Sequence, residues 1–210
     1  MITKVQSKEL RREAILAPRP KLSPVERGML RWVVLDPGDR VLDANTRDGL
    51  MLEYLYRNME CEICGLSTNM EQVKESRSRL QNADVMYASA QDIPWREESF
   101  DAVMLRKERG GNDRLCRILE EVLRVLKPGG QFLLGTTYYP TPIRQLAGIF
   151  AQEEEEQMPA WMQSKKNTLH LMRGAGFRQV SWQQGDLLSA VAIGWKPGLS
   201  ALEPLPAPQG

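Results

Sequence analysis

Five short apolar segments that alternate with stretches of helical spacing are the feature that most restricts the fold of this chain. The segments cover residues 40–43, 61–66, 84–88, 100–105 and 131–137. Helices are predicted over about 49–59, over Asn69 to Leu80, and where Leu115, Leu119, Val122 and Leu126 recur at helical intervals before Lys127-Pro128-Gly129-Gly130. Strands that alternate with helices in this way form βαβ crossovers, so we predict an α/β fold with a mostly parallel sheet. Ligands of such sheets bind beyond the carboxyl ends of the strands, which points to the loops after residues 43, 66, 88, 105 and 137.

The first of these loops lies in the segment 41–50, which reads as a strand, a tight turn and the first turn of a helix. Such a unit places backbone N–H groups and the positive end of the helix dipole beside any ligand at that position. An ordinary βα connection has the same pattern. The local residues therefore leave open whether the turn binds a ligand.

The ends of the chain have a different pattern. Ser7 to Ala17 has helical spacing, and Ser23-Pro24-Val25-Glu26 is a capping-box sequence that predicts a helix to about Val34. We assign residues 1–36 to an N-terminal helical cap. The remaining elements are a helix that starts at Ser164, an antiparallel hairpin formed by 180–183 and 188–195 about Gly185-Asp186, and a proline-rich tail, 197–210, predicted to be disordered.

The length and the charge of the chain restrict the class of protein to which it can belong. The 210 residues are 42% hydrophobic and 26% charged, which suits one sizeable core, and the formal net charge of +1 favours neither nucleic acid nor an anionic membrane as a partner. The first residues lack the apolar segment of a signal peptide, and no apolar run reaches membrane-spanning length. We expect a cytoplasmic protein; the oligomeric state is not predicted.

Cysteine spacing suggests one alternative, a metal site. Cys61 and Cys64 have CxxC spacing, and Cys116 with the single histidine, His170, would complete four ligands. A second CxxC pair is missing, and residues 61–66 read better as a buried strand. We therefore interpret the cysteines as structural, predict no metal, and interpret His170 as a structural histidine.

Several motifs that occur in order carry a resemblance to a known family. They are Val41-Leu42-Asp43 with Gly49, Gln91-Asp92-Ile93-Pro94-Trp95, Ser99-Phe100-Asp101, the segment 121–130, and Ala175-Gly176-Phe177. Together they resemble the class I S-adenosylmethionine-dependent methyltransferases, closest to the type 11 group that includes quinone-biosynthesis methyltransferases. The resemblance covers about 37–137 and 164–196. It implies a Rossmann-like fold with a seven-stranded, mostly parallel sheet, a C-terminal antiparallel hairpin and helices on both faces, and it defines a domain over 37–196.

The resemblance also implies a cofactor site, and this sequence departs from the family there. The family motif is Asp-x-Gly-x-Gly-x-Gly, but Asn45 and Arg47 replace its first two glycines. Asn45 tolerates a positive φ, whereas Arg47 brings bulk and a positive charge. After the second strand, Gly65 stands where the family has the carboxylate that binds the ribose, and Ser89 replaces an aspartate that binds adenine. The implied cofactor-binding residues are Asp43, Ala44, Asn45, Gly49, Gly65, Leu66, Ser67, Ser89, Ala90 and Leu105.

The sequence indicates the substrate-binding residues less clearly than the cofactor-binding residues. The family builds its substrate cover after the fifth strand, so the resemblance assigns that role to 141–163 and makes Arg106, Tyr138, Tyr139 and Trp161 candidate substrate contacts. Arg106 begins a charged segment that either binds an anionic substrate or is a solvated loop. No catalytic residue is predicted, because transfer from a sulfonium rests mainly on proximity and orientation.

Two functions follow from these observations. The first, which we favour, is a small-molecule methyltransferase with S-adenosylmethionine as cofactor. The second is a catalytically inactive member of the fold that serves as a binding or regulatory subunit, as the changes at residues 45, 47, 65 and 89 would suggest. A nicotinamide dehydrogenase is less consistent with the sequence, because Gly-x-Gly-x-x-Gly is absent after the first strand.

Overall fold

A seven-stranded sheet forms the centre of the molecule. The structure is a computed structural model that describes residues 22–107, 111–137, 165–185 and 189–198. The strand order is β3-β2-β1-β4-β5-β7-β6. The strands are β1 Arg40–Asp43, β2 Glu62–Ser67, β3 Asp84–Tyr87, β4 Phe100–Arg106, β5 Leu126–Thr137, β6 Arg178–Gln184 and β7 Ser189–Trp195. Neighbours among β1 to β5 pair in parallel, and β7 pairs antiparallel with both β5 and β6. The predicted fold, with its terminal hairpin, is confirmed.

Five helices cover the two faces of this sheet. They are α1 Pro24–Trp32, α2 Leu50–Met59, α3 Met70–Arg79, α4 Asn112–Val125 and α5 Lys165–Ala175. The first three pack on one face around Leu30, Leu52 and Val73, and the last two pack on the other around Leu119 and Met172. Because both faces are covered, the central strands are apolar without alternation, as buried parallel strands require.

The N-terminal helix shows how local signals define one element. Glu26 N–H donates to Ser23 Oγ, and Glu26 Oε2 accepts from Ser23 N–H at 2.7 Å, so the predicted capping box is present. The helix ends at Trp32, two residues before the predicted end. Met29 and Leu30 have no exposed surface, so α1 is part of the core. The assignment of 1–36 to a separate cap stays a prediction.

The fifth strand begins earlier than its sequence suggests. The sequence places Leu126 in the preceding helix and makes residues 127–130 its stop, but all five residues belong to β5. Leu126 pairs with Phe100, and an irregularity in the pairing follows before Gln131 pairs with Ala102. Gly129 N–H donates to the carbonyl of Lys196. Pro128 and Gly129 therefore lie in an irregular strand end, where proline and glycine are tolerated.

Several predictions concern residues outside the described ranges. These are the helix from Ser7 to Ala17, the cover 141–163, the contacts Tyr138, Tyr139 and Trp161, and residues 199–210 of the tail. Within the described ranges, no helix is long and apolar enough to span a membrane.

The cysteines lie in separate environments. Cys61 belongs to the core on the α1–α3 face, and Cys64 to the core on the α4–α5 face. Burial raises the pKa of the Cys64 thiol to about 11, which keeps it protonated at neutral pH. The part of the chain that the structure describes contains no group of three or more His, Cys, Asp or Glu side chains arranged to hold a metal ion. Cys64 lies in the buried strand β2, and Cys61 lies directly before it.

Candidate functional site

A cavity of about 330 Å³ lies at the carboxyl ends of β1, β2, β3 and β4. Four adjacent parallel strands end there, at the edge where ligands of such sheets bind. The turn after β1, the end of β2, the loop after β3 and the end of β4 contribute to its wall. The lining residues are Ala44, Asn45, Arg47, Leu66, Ser67, Thr68, Gln72, Ala88, Ser89, Ala90, Arg106 and Arg114.

The turn between β1 and α2 is held by α3. Gly49 has φ 77°, and a Cβ on it would lie 3.0 Å from Ser76 Cα, so both conformation and space require glycine. Asp48 Oδ1 accepts from Leu50 N–H at 3.2 Å, a local bond across the turn just before α2. Arg79 Nε donates to the Asp48 carbonyl at 2.7 Å. Gly49 therefore shapes the turn from behind and lies outside the cavity lining.

Asn45 has a different role from the one its sequence position suggests. Its backbone is not in the positive-φ region, so the turn does not depend on the tolerance of asparagine for that conformation. The side-chain amide instead bonds the backbone of Arg106 twice: Nδ2 donates to the Arg106 carbonyl at 2.8 Å, and Oδ1 accepts from Arg106 N–H at 3.0 Å. Asn45 thus joins the end of β1 to the end of β4 across 61 positions in sequence.

The Arg106 side chain is the centre of a buried charged cluster. Its Nη1 lies 2.7 Å from Glu26 Oε1 on α1, and its Nη2 lies 3.5 Å from Asp43 Oδ1 on β1. Nη2 also donates to the backbone carbonyl of Asn45. Only 11% of the Arg106 side chain is exposed, so the alternative of a solvated loop at this position is wrong. Glu26 both caps α1 and neutralises Arg106.

Asp43 is a counter-ion inside the protein rather than part of the cavity wall. Its side chain has no exposed surface, and Oδ2 has no hydrogen-bond partner among the described residues. Burial raises the pKa of Asp43; the positive charge of Arg106 opposes this shift, and the negative charge of Glu26 adds to it. The carboxylate stays within the cluster, where it faces Arg106.

At the end of β2, the structure shows that the predicted role of Gly65 at the ribose position is wrong. Gly65 pairs with Asp43 and with Val85 inside the sheet, and a Cβ on it would lie 2.9 Å from Leu52 Cδ1. A side chain at residue 65 would therefore enter the core, so Gly65 is not the position that faces a ribose. Ser67, two residues later, lines the cavity and donates from Oγ to Gln72 Oε1 at 2.7 Å.

The loop after β3 is fixed by α4. Arg124 donates to the carbonyls of Trp95 and Ile93, each at 2.9 Å, and Glu121 Oε2 accepts from Ile93 N–H at 2.8 Å. The hydrogen bond from Arg124 lowers the pKa of Glu121. This support positions the preceding residues 88–90 on the cavity wall. Ser89 Oγ accepts from Gln91 N–H at 3.2 Å, and its hydroxyl keeps its own proton to donate.

The charges of the cavity are all of one sign. Arg47, Arg106 and Arg114 line it, and no aspartate or glutamate of the described ranges does. Lys107 follows Arg106 directly, and its Nζ donates to Thr168 Oγ1 at 3.1 Å. Burial lowers the pKa of Lys107. Lys107 therefore adds a cation next to Arg106, whose own charge is paired with Glu26 and Asp43.

Of the eleven predicted site residues that the structure describes, seven line the cavity and four do not. Those on the cavity wall are Ala44, Asn45, Leu66, Ser67, Ser89, Ala90 and Arg106; those off it are Asp43, Gly49, Gly65 and Leu105, which belong to the buried cluster, the turn or the core. The sequence reasoning missed Thr68, Gln72, Ala88 and Arg114. Thr68 and Ala88 directly adjoin predicted residues and Gln72 follows Thr68 by one helical turn, so their position in the sequence is the signal that indicates them. Arg114, in the first turn of α4, had no such signal.

Comparison with known proteins agrees with this geometry. A family model described as a methyltransferase domain, of type 11, matches residues 42–134. A phthiotriol/phenolphthiotriol dimycocerosates methyltransferase of Mycobacterium ulcerans is 34% identical over 107 residues, 50% of this chain and 39% of that protein. A demethylmenaquinone methyltransferase of Renibacterium salmoninarum is 30% identical over 105 residues, 50% of this chain and 44% of that protein. This chain thus matches less than half the length of each.

A solved structure gives the same fold over a longer stretch. A chain in the complex of the Haloferax volcanii Trm112 methyltransferase activator with a methyltransferase superposes with a TM-score of 0.67 at 18% identity, and the match covers 92% of this chain and 97% of that one. At this identity the likeness concerns the fold. In its fold, in the cavity at the carboxyl edge of its sheet and in the match over residues 42–134, this chain is similar to the class I S-adenosylmethionine-dependent methyltransferases.

Proposed function

We propose that this domain transfers a methyl group from S-adenosylmethionine to a small molecule by in-line displacement. The observation that carries the proposal is the cavity itself, which lies at the carboxyl ends of β1 to β4 and is lined by the predicted turn and loops. The relatives named for demethylmenaquinone and for phthiotriol dimycocerosates support a non-polymeric acceptor. The domain limits 37–196 and the cover 141–163 are part of the same proposal.

The neutral part of the lining fits the nucleoside of the cofactor. Leu66, Ala88 and Ala90 offer small apolar surfaces beside which a purine ring can lie. Ser67 and Gln72 form a hydrogen-bonded pair on the same wall, and hydroxyl and amide groups of this kind bind ribose hydroxyls. We call residues 66–68, 72 and 88–90 the nucleoside end of the cavity. The family carboxylate is absent at Ser67, and charge-assisted hydrogen bonds are worth about 1.5–3 kcal/mol, so weak binding is expected.

The charged part of the lining orients the rest of the ligand. We call Asn45, Arg47, Arg106 and Arg114 the arginine end. The bound cofactor supplies a methyl group on an activated sulfonium, and this chain needs to hold that group in line with the acceptor and exclude water. The Asn45 amide donates one hydrogen bond to Arg106 and accepts one from it, so Asn45 stiffens the wall of the cavity. We assign no proton transfer to any residue.

A second function is favoured by a specific observation. The side chain of Arg47 lines the cavity and is exposed, where the family motif has a glycine. A flexible, positively charged side chain at this point opposes a cationic sulfonium. This residue supports a non-catalytic member of the family that acts as a binding or regulatory subunit.

Calorimetry with S-adenosylmethionine and S-adenosylhomocysteine separates the two functions. The natural protein, Arg47→Gly, and Arg57→Gln as a control on an exposed face of α2 would be titrated in parallel. Micromolar binding of both ligands by the natural protein supports methyl transfer and justifies a screen of acceptors. Binding only after Arg47→Gly supports the non-catalytic function. The absence of binding by all three proteins contradicts the cofactor assignment.

A further inference from the structure

Arg106 separates two buried carboxylates from the cavity. Arg106 lines the cavity, and its guanidinium lies 2.7 Å from Glu26 Oε1 and 3.5 Å from Asp43 Oδ1. Glu26 and Asp43 are both buried, and neither is among the residues that line the cavity. A ligand in the cavity therefore meets the guanidinium and not the carboxylates behind it.

Hydrogen bonds hold Arg106 in this position. Its Nη2 donates to the Asn45 carbonyl, and the Asn45 amide bonds both the N–H and the carbonyl of the Arg106 backbone. Glu26 is also held, because its Oε2 accepts from Ser23 N–H at 2.7 Å in the cap of α1. An ammonium group of a ligand could reach Asp43 only by displacing a guanidinium that is fixed through its side chain and its backbone.

The rest of the described lining offers an ammonium group no opposite charge. Aspartate and glutamate are absent from it, and Arg47 adds an exposed cation in the turn after β1. The nucleoside end is neutral, and its polar groups include the hydrogen-bonded pair of Ser67 and Gln72. An ammonium group that entered the cavity would lose hydration and meet like charge, whereas an uncharged group in the same place would not.

We infer that the cavity selects thioether nucleosides of adenine whose side chain carries no ammonium group, because Arg106 is an internal cation that occupies the place beside Asp43 and Glu26. The inference rests on the proposed function in one respect, since it places the adenosine of the ligand at the nucleoside end. Affinity for S-adenosylmethionine then comes from its adenosine, and its ammonium group weakens binding.

Two thioethers of adenosine isolate the effect of the ammonium group. One carries an aminopropyl group on sulfur and the other a butyl group, so an ammonium replaces a methyl at the end of a chain of equal length. Neither has the carboxylate of the cofactor, so a contact between that carboxylate and an arginine does not enter the comparison. Both would be titrated by calorimetry at neutral pH, beside S-adenosylhomocysteine. We expect the butyl compound to bind about tenfold more tightly.

Removal of Arg106 tests whether this residue causes the preference. In the double variant Glu26→Gln, Arg106→Ala, the carboxylate left in the cluster is Asp43, whose Oδ2 has no hydrogen-bond partner among the described residues. The preference for the butyl compound should disappear or reverse in this variant, because an ammonium group can then pair with Asp43. Glu26→Gln alone and the exposed control Arg57→Gln should keep the preference. A general loss of affinity cancels, since both ligands are measured on each protein.

The outcomes separate this inference from methyl transfer. If S-adenosylhomocysteine binds and the aminopropyl compound binds as tightly as the butyl compound, methyl transfer stands and the inference is wrong. A preference that persists in the double variant also contradicts the inference, because Arg106 would not be its cause. If the butyl compound is preferred and S-adenosylhomocysteine fails to bind, the inference stands and methyl transfer fails. If none of the three compounds binds, both are wrong. The comparison in the natural protein does not depend on the folding of the double variant.

Discussion

The nucleoside end and the arginine end of the cavity are built in different ways. The nucleoside end consists of neutral residues next to short loops, and α3 and α4 hold those loops through hydrogen bonds. The arginine end depends on a buried cluster in which Glu26, Asp43 and Arg106 come from α1, β1 and β4. The neutral wall therefore depends on helices that pack behind single loops, whereas the charged wall depends on contacts among three separate elements. Four substitutions test it.

The largest effect is expected from Arg106→Met. This change leaves Glu26 and Asp43 buried beside each other without their cation, and loss of one partner from a buried ion pair costs about 3–5 kcal/mol. Urea denaturation would measure the free energy of unfolding. The triple variant Glu26→Gln, Asp43→Asn, Arg106→Met should recover part of the loss. If Arg106→Met were as stable as the natural protein, the buried charged cluster would not be what stabilises the arginine end of the cavity.

Gly49→Ala should have the next largest effect. The substitution places a side chain at φ 77° and 3.0 Å from Ser76 Cα, so we expect a loss of about 2 kcal/mol or more. Gly129→Ala is the matched control, because Gly129 has φ 78° and open space around the added Cβ. Its cost should be about 1 kcal/mol, from conformation alone. Equal losses in thermal denaturation would mean that α3 does not restrict the turn.

Asn45→Ala should cost about 1–2 kcal/mol, because it removes two hydrogen bonds between the ends of β1 and β4. Hydrogen exchange would detect the change locally, as faster exchange of the Arg106 amide than of the Leu66 amide. Asn45→Asp serves as a comparison, because it keeps the acceptor for Arg106 N–H and loses the donor to the carbonyl. If the Arg106 and Leu66 amides both exchanged faster by the same factor, Asn45 would not have a local role.

Glu121→Gln should have the smallest effect, about 0.5 kcal/mol, since the Glu121–Arg124 pair is partly exposed. The pKa of Glu121 is lowered in the folded protein, so its stabilising effect is present above the unfolded value, about 4.5, and is lost as the pH falls through the folded value. Unfolding midpoints of the two proteins should differ at pH 7 and converge in acid below pH 4.5. A difference independent of pH would exclude the charge of Glu121 as the cause.

Most of the fold followed from local patterns, because hydrophobic periodicity and turn residues act over a few positions. The capping box at Ser23, the five parallel strands and the terminal hairpin were all predicted. The errors lie at boundaries: β5 begins at Leu126 because it pairs there with Phe100, a contact that the local residues do not encode. Gly65 was misplaced for a related reason, since strand register decides which residue reaches the carboxyl edge.

The residue sequence alone determined the fold class, the edge at which the cavity lies and most of its neutral wall. The charged part of the cavity wall is determined only by the tertiary structure. Glu26 and Arg106 are 80 positions apart, and Asn45 and Arg106 are 61 apart, so no local spacing reveals that they meet. The physical reason is that a βαβ pattern sets the direction of each strand through short-range preferences, whereas ion pairs and hydrogen bonds between strand ends depend on the order of strands in the sheet.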